Sequence, residues 1–167
     1  ASGLDIKNFW AISNVMPFQI YGSPKMKSLK DSKGKKFAIS RFGSLSEFLT
    51  RSALRQAGVD PKDVTMLQIG ATPARFTTLA TGIVDATILW FPVTERAKSV
   101  GMNKLFDLKD LYPNWTNVGF IAREGWLAKE KEQTAKFLRA YQRGVKHTRE
   151  NRDDGIRALR KYVGLDA

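Results

Sequence analysis

The sequence predicts an α/β fold with a parallel-rich sheet flanked by helices. Two observations carry that prediction. Short apolar, strand-like runs alternate with helical stretches from residue 36 onward, the order that favours parallel pairs covered by helices. The helical stretches are also punctuated, with capping residues at their starts and glycine at their ends.

The opening run from Phe9 to Tyr21 is rich in aromatic and β-branched residues, and Pro17 limits its pairing, so it reads as an extended segment leading into a strand. Gly22-Ser23-Pro24 breaks it. Ser28 to Lys35 then reads as a short helical turn closed by Gly34, and Lys36 to Ser40 returns as a strand. Ser44-x-x-Glu47 has capping-box spacing, in which the serine oxygen takes the Glu47 amide proton and the glutamate reaches back to the Ser44 amide. Leu45, Phe48, Leu49 and Ala53 form the expected inward stripe of the helix that Gly58 ends. Val64 to Ile69 is the next strand.

Thr72-Pro73 reads as N-cap and first helical position of a short helix over 74–81, stopped by Gly82. Ile83 to Trp90 is mostly apolar, as a strand buried on both faces would be. Phe91-Pro92 ends it, and a helix over 93–100 is closed by Gly101. Tyr112 to Asn117 is a polar and aromatic connection, and Val118 to Ala122 is strand-like, a return crossover. The rest is helical: Phe137, Leu138, Tyr141 and Val145 share one face of a long helix. Ile156, Leu159 and Val163 share a face of a shorter one begun by Asp153 or Asp154.

Composition removes whole classes of chemistry. With no cysteine, thiol nucleophiles, disulfides and thiolate metal sites are excluded, and the lone histidine, His147, excludes a multi-histidine metal site. His147 reads as a solvated residue of a surface helix, and no cofactor is called for. No stretch approaches the roughly 18 uncharged apolar residues that suggest a membrane span. A charged region followed by an apolar one is not found at the start, so a secretory signal is expected to be absent or removed. The net charge of +12 and pI near 10.1 invite a nucleic-acid reading. The basic residues of 129–160, however, alternate with Glu130, Glu132, Glu150, Asp153 and Asp154, which is the pattern of a solvated helix face, and no nucleic-acid partner is expected.

The strongest local signal is Ser40-Arg41-Phe42-Gly43-Ser44-Leu45-Ser46, a strand end running through glycine into a capped helix. Free amides at such a helix start attract anions, and Ser44, Ser46 and Arg41 add donors that suit a carboxylate or sulfonate. The same residues read equally well as an ordinary β-to-α turn whose serines serve only as caps. Trp90-Phe91-Pro92 ends a strand expected to be parallel, where open α/β sheets place their ligand crevice, and reads either as an aromatic wall or as core. Trp115 and Asn117 in the crossover have the same double reading. Asp85 reads as a structural hydrogen-bonding residue, and no motif pairs a nucleophile with a base.

These residues together resemble the solute-binding proteins of ABC importers for nitrate, sulfonate, taurine and related compounds, within the type II periplasmic-binding-protein fold. Ser28 to Ser40 is similar to that family's SLKDLKGKK segment, with Ser32 in place of an apolar residue. Gly43-Ser44 with the helix ending Gln56-Ala57-Gly58-Val59-Asp60-Pro61 resembles its first ligand loop and helix. Gly82-Ile83-Val84-Asp85-Ala86 resembles its GxVDA turn. Arg149 to Ile156 and Tyr162-Val163-Gly164-Leu165-Asp166 resemble its late helices.

The resemblance implies a periplasmic or otherwise extracytoplasmic protein without enzymatic activity, which captures a small anionic or polar solute between two lobes and delivers it to an ABC permease. It implies one complete lobe over residues 24–111, with residues 1–23 and 112–167 contributing crossovers and part of the other. The family's further N-terminal region and its C-terminal extension are expected to be missing from this chain, and pairing between chains through exposed sheet edges is expected in consequence. Ligand contacts transfer to Arg41, Phe42, Gly43, Ser44 and Ser46, then to Trp90 and Phe91, then to Asn14, Trp115 and Asn117. Two other readings stand beside this one: an enzyme of pyrimidine-precursor type on the same fold, and a basic interaction module.

Overall fold

The computed structural model describes residues 3–163. The resemblance drawn at Gly164-Leu165-Asp166 lies outside the described residues, as does the Val163 side chain. The chain divides into two units, residues 11–119 and residues 1–10 with 120–167.

The larger unit is built on a mixed five-stranded sheet. Its strands are β2 (Gln19–Gly22), β3 (Lys36–Ile39), β4 (Thr65–Gln68), β5 (Ala86–Leu89) and β6 (Asn103–Asp107), in the spatial order β4-β3-β5-β2-β6. β3 runs parallel to both β4 and β5, whereas β2 is antiparallel to β5 and β6. The strand β6 was not foreseen, because Asn103-Lys104-Leu105-Phe106-Asp107 pairs with β2 only after the chain has returned from the far end of the sheet. Three helices cover the sheet: α1 (Leu45–Gln56), α2 (Thr72–Ala80) and α3 (Val93–Ser99).

Alternation along the strands sends neighbours to opposite faces and makes two cores. Ile20, Phe37 and Ile88 join Leu49, Ala53 and Leu54 of α1 on one face. Tyr21, Ala38 and Leu89 join Phe76, Leu79 of α2 and Ala97 of α3 on the other. β5 is buried along its whole length, as its apolar run predicts, and the Thr87 hydroxyl is satisfied by donating to the Ala38 carbonyl at 2.9 Å. Asp85 has the structural role expected of it, accepting the Lys36 amide at 2.8 Å and so tying the start of β3 to the approach to β5.

Several expectations shift in register or face. On α1, Leu45 and Phe48 are exposed, and the inward stripe is Leu49, Ala53 and Leu54 with Ser46 and Thr50. The apolar period was right, but the sheet takes the side of the helix centred one position later. α2 starts at Thr72 after an Ala71 N-cap, so Thr72 is a helical residue and its hydroxyl serves Arg75 instead of capping. The opening segment forms two strands, β1 (Lys7–Ser13) and β2, interrupted around Pro17.

β1 and β7 (Val118–Ala122) make a two-stranded sheet, and the chain passes from one unit to the other within each. The smaller unit adds α4 (Glu124–Lys129), α5 (Lys131–Glu150) and α6 (Arg152–Val163). α6 starts before Asp153 and Asp154, which lie in its first turn. Phe120 meets Phe9 at 6.2 Å and, edge-on, Phe137 at 4.8 Å and Tyr141 at 5.0 Å. His147 is exposed as expected, and it is also paired, its Nε2 lying 2.8 Å from an Asp154 carboxylate oxygen. Among the described residues no helix is long and apolar enough to cross a membrane.

Candidate anion site at the carboxyl edge of the sheet

Parallel strands place their carboxyl ends together, and here the pairing registers decide which segments meet. β3, β4 and β5 all end at one edge. Because Gln19 lies opposite both Leu89 and Asp107, the start of β2 and the end of β6 come to that same edge. The turn after β3, Trp90-Phe91 after β5, Phe18 before β2 and the connection after β6 therefore cluster within the larger unit.

The turn itself is held by a group of serine hydroxyls. Ser40 Oγ lies 3.0 Å from Ser44 Oγ and 2.8 Å from Ser46 Oγ, Ser44 and Ser46 Oγ are 2.8 Å apart, and Ser46 Oγ accepts the Ser40 amide at 2.9 Å. Ser44 caps α1 by accepting the Glu47 amide at 3.4 Å and donates its own proton to the Arg41 carbonyl at 2.6 Å. Its hydroxyl is thus committed to the turn. The reciprocal half of the expected capping box is displaced by one residue: the Glu47 carboxylate accepts the Gly43 amide at 2.6 Å, while the Ser44 amide donates to Arg41. Gly43 has φ of +73°, the left-handed region where a Cβ is disfavoured, and this swing is what turns its amide toward Glu47.

Two consequences follow for charge. The Gly43 amide and the Arg51 guanidinium, 2.8 Å away, hold the Glu47 carboxyl below its ordinary range. Arg51 matches the charge of Glu47, so the pair adds no net charge at the start of α1. Arg41 is exposed, and among the described residues it has no carboxylate partner. The amides of Leu45 and Ser46, in the first turn of α1, have no protein acceptor among the described residues. An edge with free amides, an unmatched guanidinium and a helix N-terminus attracts small anions.

Exposed apolar side chains lie at the same edge of the sheet. Trp90 is 41% exposed and stacks on Phe18 with ring centroids 5.6 Å apart, and Phe91 and Phe42 are 70% and 56% exposed. Trp90, Phe91 and Phe42 are therefore solvent-facing, not core. On the other side of the turn Phe48 of α1 meets Tyr112 at 6.2 Å, and Tyr112 meets Trp115 at 5.3 Å. Asn14 and Asn117 are not drawn in: the Asn117 amide donates to the Ser13 carbonyl at 3.0 Å, and no hydrogen bond joins either asparagine side chain to the turn or to Trp90. Sequence reasoning gave Glu47 only as part of a cap and missed Phe18 and Gln68, whose side-chain oxygen accepts the Phe42 amide at 3.2 Å. Only the register opposing Ile39 to Gln68 makes that last contact legible.

A sequence profile of the family described as NMT1/THI5 like matches residues 1–154. The chain belongs to this family. Among solved structures, the chain is similar to the periplasmic aliphatic sulphonate binding protein SsuA of Escherichia coli, with a TM-score of 0.82 and 28% identity over 99% of this chain and 54% of that one. The fold is shared with the alkanesulfonate-binding SsuA of Xanthomonas axonopodis pv. citri bound to MOPS, with TM-score 0.76, 21% identity, and coverage of 99% and 57%. It is shared too with an ABC transporter protein from Parabacteroides distasonis, with TM-score 0.68, 15% identity, and coverage of 98% and 56%. The chain thus spans about half the length of the solved relatives it matches. Among curated protein sequences nothing matches it.

Proposed function

We propose that this family member is the solute-binding part of an ABC importer and takes a small organic anion, with alkanesulfonates the leading class, at the carboxyl edge of the five-stranded sheet. The observation that carries the reading is that the unsatisfied Leu45 and Ser46 amides and an unmatched Arg41 follow β3 at the same sheet edge as exposed Trp90, Phe91 and Phe42. Amides and guanidinium suit the charged head of an alkanesulfonate, and the aromatic surface suits its apolar tail. The sulfonate-binding description of the Escherichia coli relative supports the same class. A carboxylate or nitrate presents the same charge with different geometry, so the three classes are separated by measurement.

Arg41, Gly43, Ser44 and Ser46 form the anion-binding turn in this reading, Phe42, Trp90 and Phe91 the apolar wall, and Trp115 its flank, with Asn14 and Asn117 more remote. The complete lobe comprises residues 24–111, the location is extracytoplasmic, and a membrane permease receives the solute. The solved relatives are described as binding and transport proteins, and that description supports a binding role without chemistry. The outer strands β4 and β6 have unpaired backbone groups on which another chain can add, and light scattering at rising concentration tests such pairing; a constant monomer mass counts against it.

Thermal-shift titration with ethanesulfonate, propionate and nitrate, beside a duplex DNA control, tests the function. Ligand at a hundred times its Kd stabilises by about 2.7 kcal/mol. The shift should vanish in Arg41→Ala and shrink in Ser44→Ala. A melting temperature indifferent to every anion overturns the reading, and salt-sensitive stabilisation by DNA alone would replace it.

A further inference from the structure

Arg75 is the one cation buried among the described residues, 4% exposed. Its fork is nearly saturated: Nη1 donates to the Gly70 carbonyl at 2.6 Å, Nη2 to Thr72 Oγ1 at 3.0 Å and to the Ile88 carbonyl at 3.1 Å, and Nε to Ile88 at 3.3 Å. Every one of these acceptors is neutral. No carboxylate among the described residues lies within ion-pair distance of it, so its hydrogen bonds are met and its charge is not. Burial pushes the guanidinium below its ordinary pKa through desolvation, yet arginine stays charged. The residue also sits in the first turn of α2, where the helix dipole opposes a cation and where no acidic residue offsets it.

Position gives the charge a purpose. Gly70 follows β4 and Ile88 lies in β5, and β3 runs between those two strands. The fork therefore reaches across the carboxyl end of β3, whose Ile39 carbonyl receives the Ile69 and Gly70 amides at 2.9 and 3.4 Å and whose next residues are Ser40 to Ser44. Burying a cation with no counter-ion costs several kcal/mol even after relaxation. Local rules broken at that cost mark functional positions.

We propose that Arg75 is a specificity-determining residue: a buried counter-charge, not touching the solute, that raises the potential at the carboxyl edge and selects anions over neutral molecules of the same shape. The inference rests on the anion-binding reading above. Being enclosed, Arg75 is weakly screened, whereas exposed Arg41 is screened by salt, so the two arginines divide the work between selectivity and contact.

Calorimetric titration with ethanesulfonate and with its neutral analogue ethyl methyl sulfone tests this in the wild type, Arg75→Gln and Arg75→Lys. The glutamine variant should bind ethanesulfonate about tenfold more weakly and the sulfone within about twofold of wild type, while the lysine variant keeps the anion preference within about threefold. A folded Arg75→Gln whose preference is unchanged, or one that loses both ligands equally, overturns the inference while leaving anion binding intact. If Arg75→Gln does not melt cooperatively, Arg75→Lys decides: a kept preference supports the proposal and a lost one overturns it. A wild type that binds neither probe overturns the underlying reading as well.

Discussion

Phe37 and Phe137 are the same residue in two very different settings. Phe37, on β3, is fully buried between α1 and the sheet, whereas Phe137, on α5, is 47% exposed and rests edge-on against Phe120. The contrast extends to the units around them. All of the buried apolar residues among those described lie between Met16 and Leu108, while α4 and α5 of the smaller unit bury no side chain. Phe137, Leu138, Tyr141 and Val145 still share a face of α5, as their spacing requires. An amphipathic stripe is thus a property of the local sequence, and its burial is a property of what packs on it. In residues 11–119 the strands give each stripe a surface of matching shape, and that rigid sheet is also what aims the turn after β3.

The sharpest way to break this comparison is to truncate both phenylalanines. Phe37→Ala should cost about 3–5 kcal/mol in urea denaturation, and Phe137→Ala only the roughly 0.5–1.5 kcal/mol of an aromatic pair plus its partial burial. Equal losses would show the two units to be one cooperative core. Native-state hydrogen exchange extends the test residue by residue: amides of β3 and β5 should exchange only through global unfolding, and those of α5 and α6 through openings smaller by a few kcal/mol. Matching protection in both units would contradict the contrast.

A smaller effect is expected at the turn. Ser44→Ala removes the cap of α1 and one member of the serine group, and should lower stability by about 1 kcal/mol, with Ser44→Gly costing less. The smallest is electrostatic. Because Gly43 and Arg51 depress the folded-state pKa of Glu47, its contribution is fully present above the unfolded value of about 4.3 and is lost as pH falls through the lower folded value. Melting temperatures of the wild type and Glu47→Gln should therefore differ at neutral pH and converge in acid below that window. A gap that persists there would assign the effect to packing.

Much of the larger unit was legible because its elements are punctuated locally. Ser44 capped its helix where the motif placed it, Gly34, Gly58, Gly82 and Gly101 all adopt positive φ at the stops they were expected to make, and the apolar run of β5 is buried on both sides. Those features depend on residues within a few positions of one another, so a one-dimensional reading suffices. β6 stayed hidden because its pairing partner, β2, lies about eighty residues earlier, and Leu45 and Phe48 were assigned to the wrong side because the helix period defines a face but not which neighbour meets it.

The candidate site divides in the same way. The donor-rich turn from Ser40 to Ser46 is written in consecutive residues, and so is the pull of its free amides on an anion. Its surroundings are not. Phe18 reaches Trp90 because β2 is antiparallel to β5, Gln68 reaches Phe42 because β4 is parallel to β3, and Arg75 spans from Gly70 to Ile88 because β3 lies between their strands. Caps, turns and periodicity come from short-range sterics and hydrogen bonding, which the order of residues determines by itself. Which charges and rings share one edge depends on strand order and register, and those are settled only when distant segments compete for the same core.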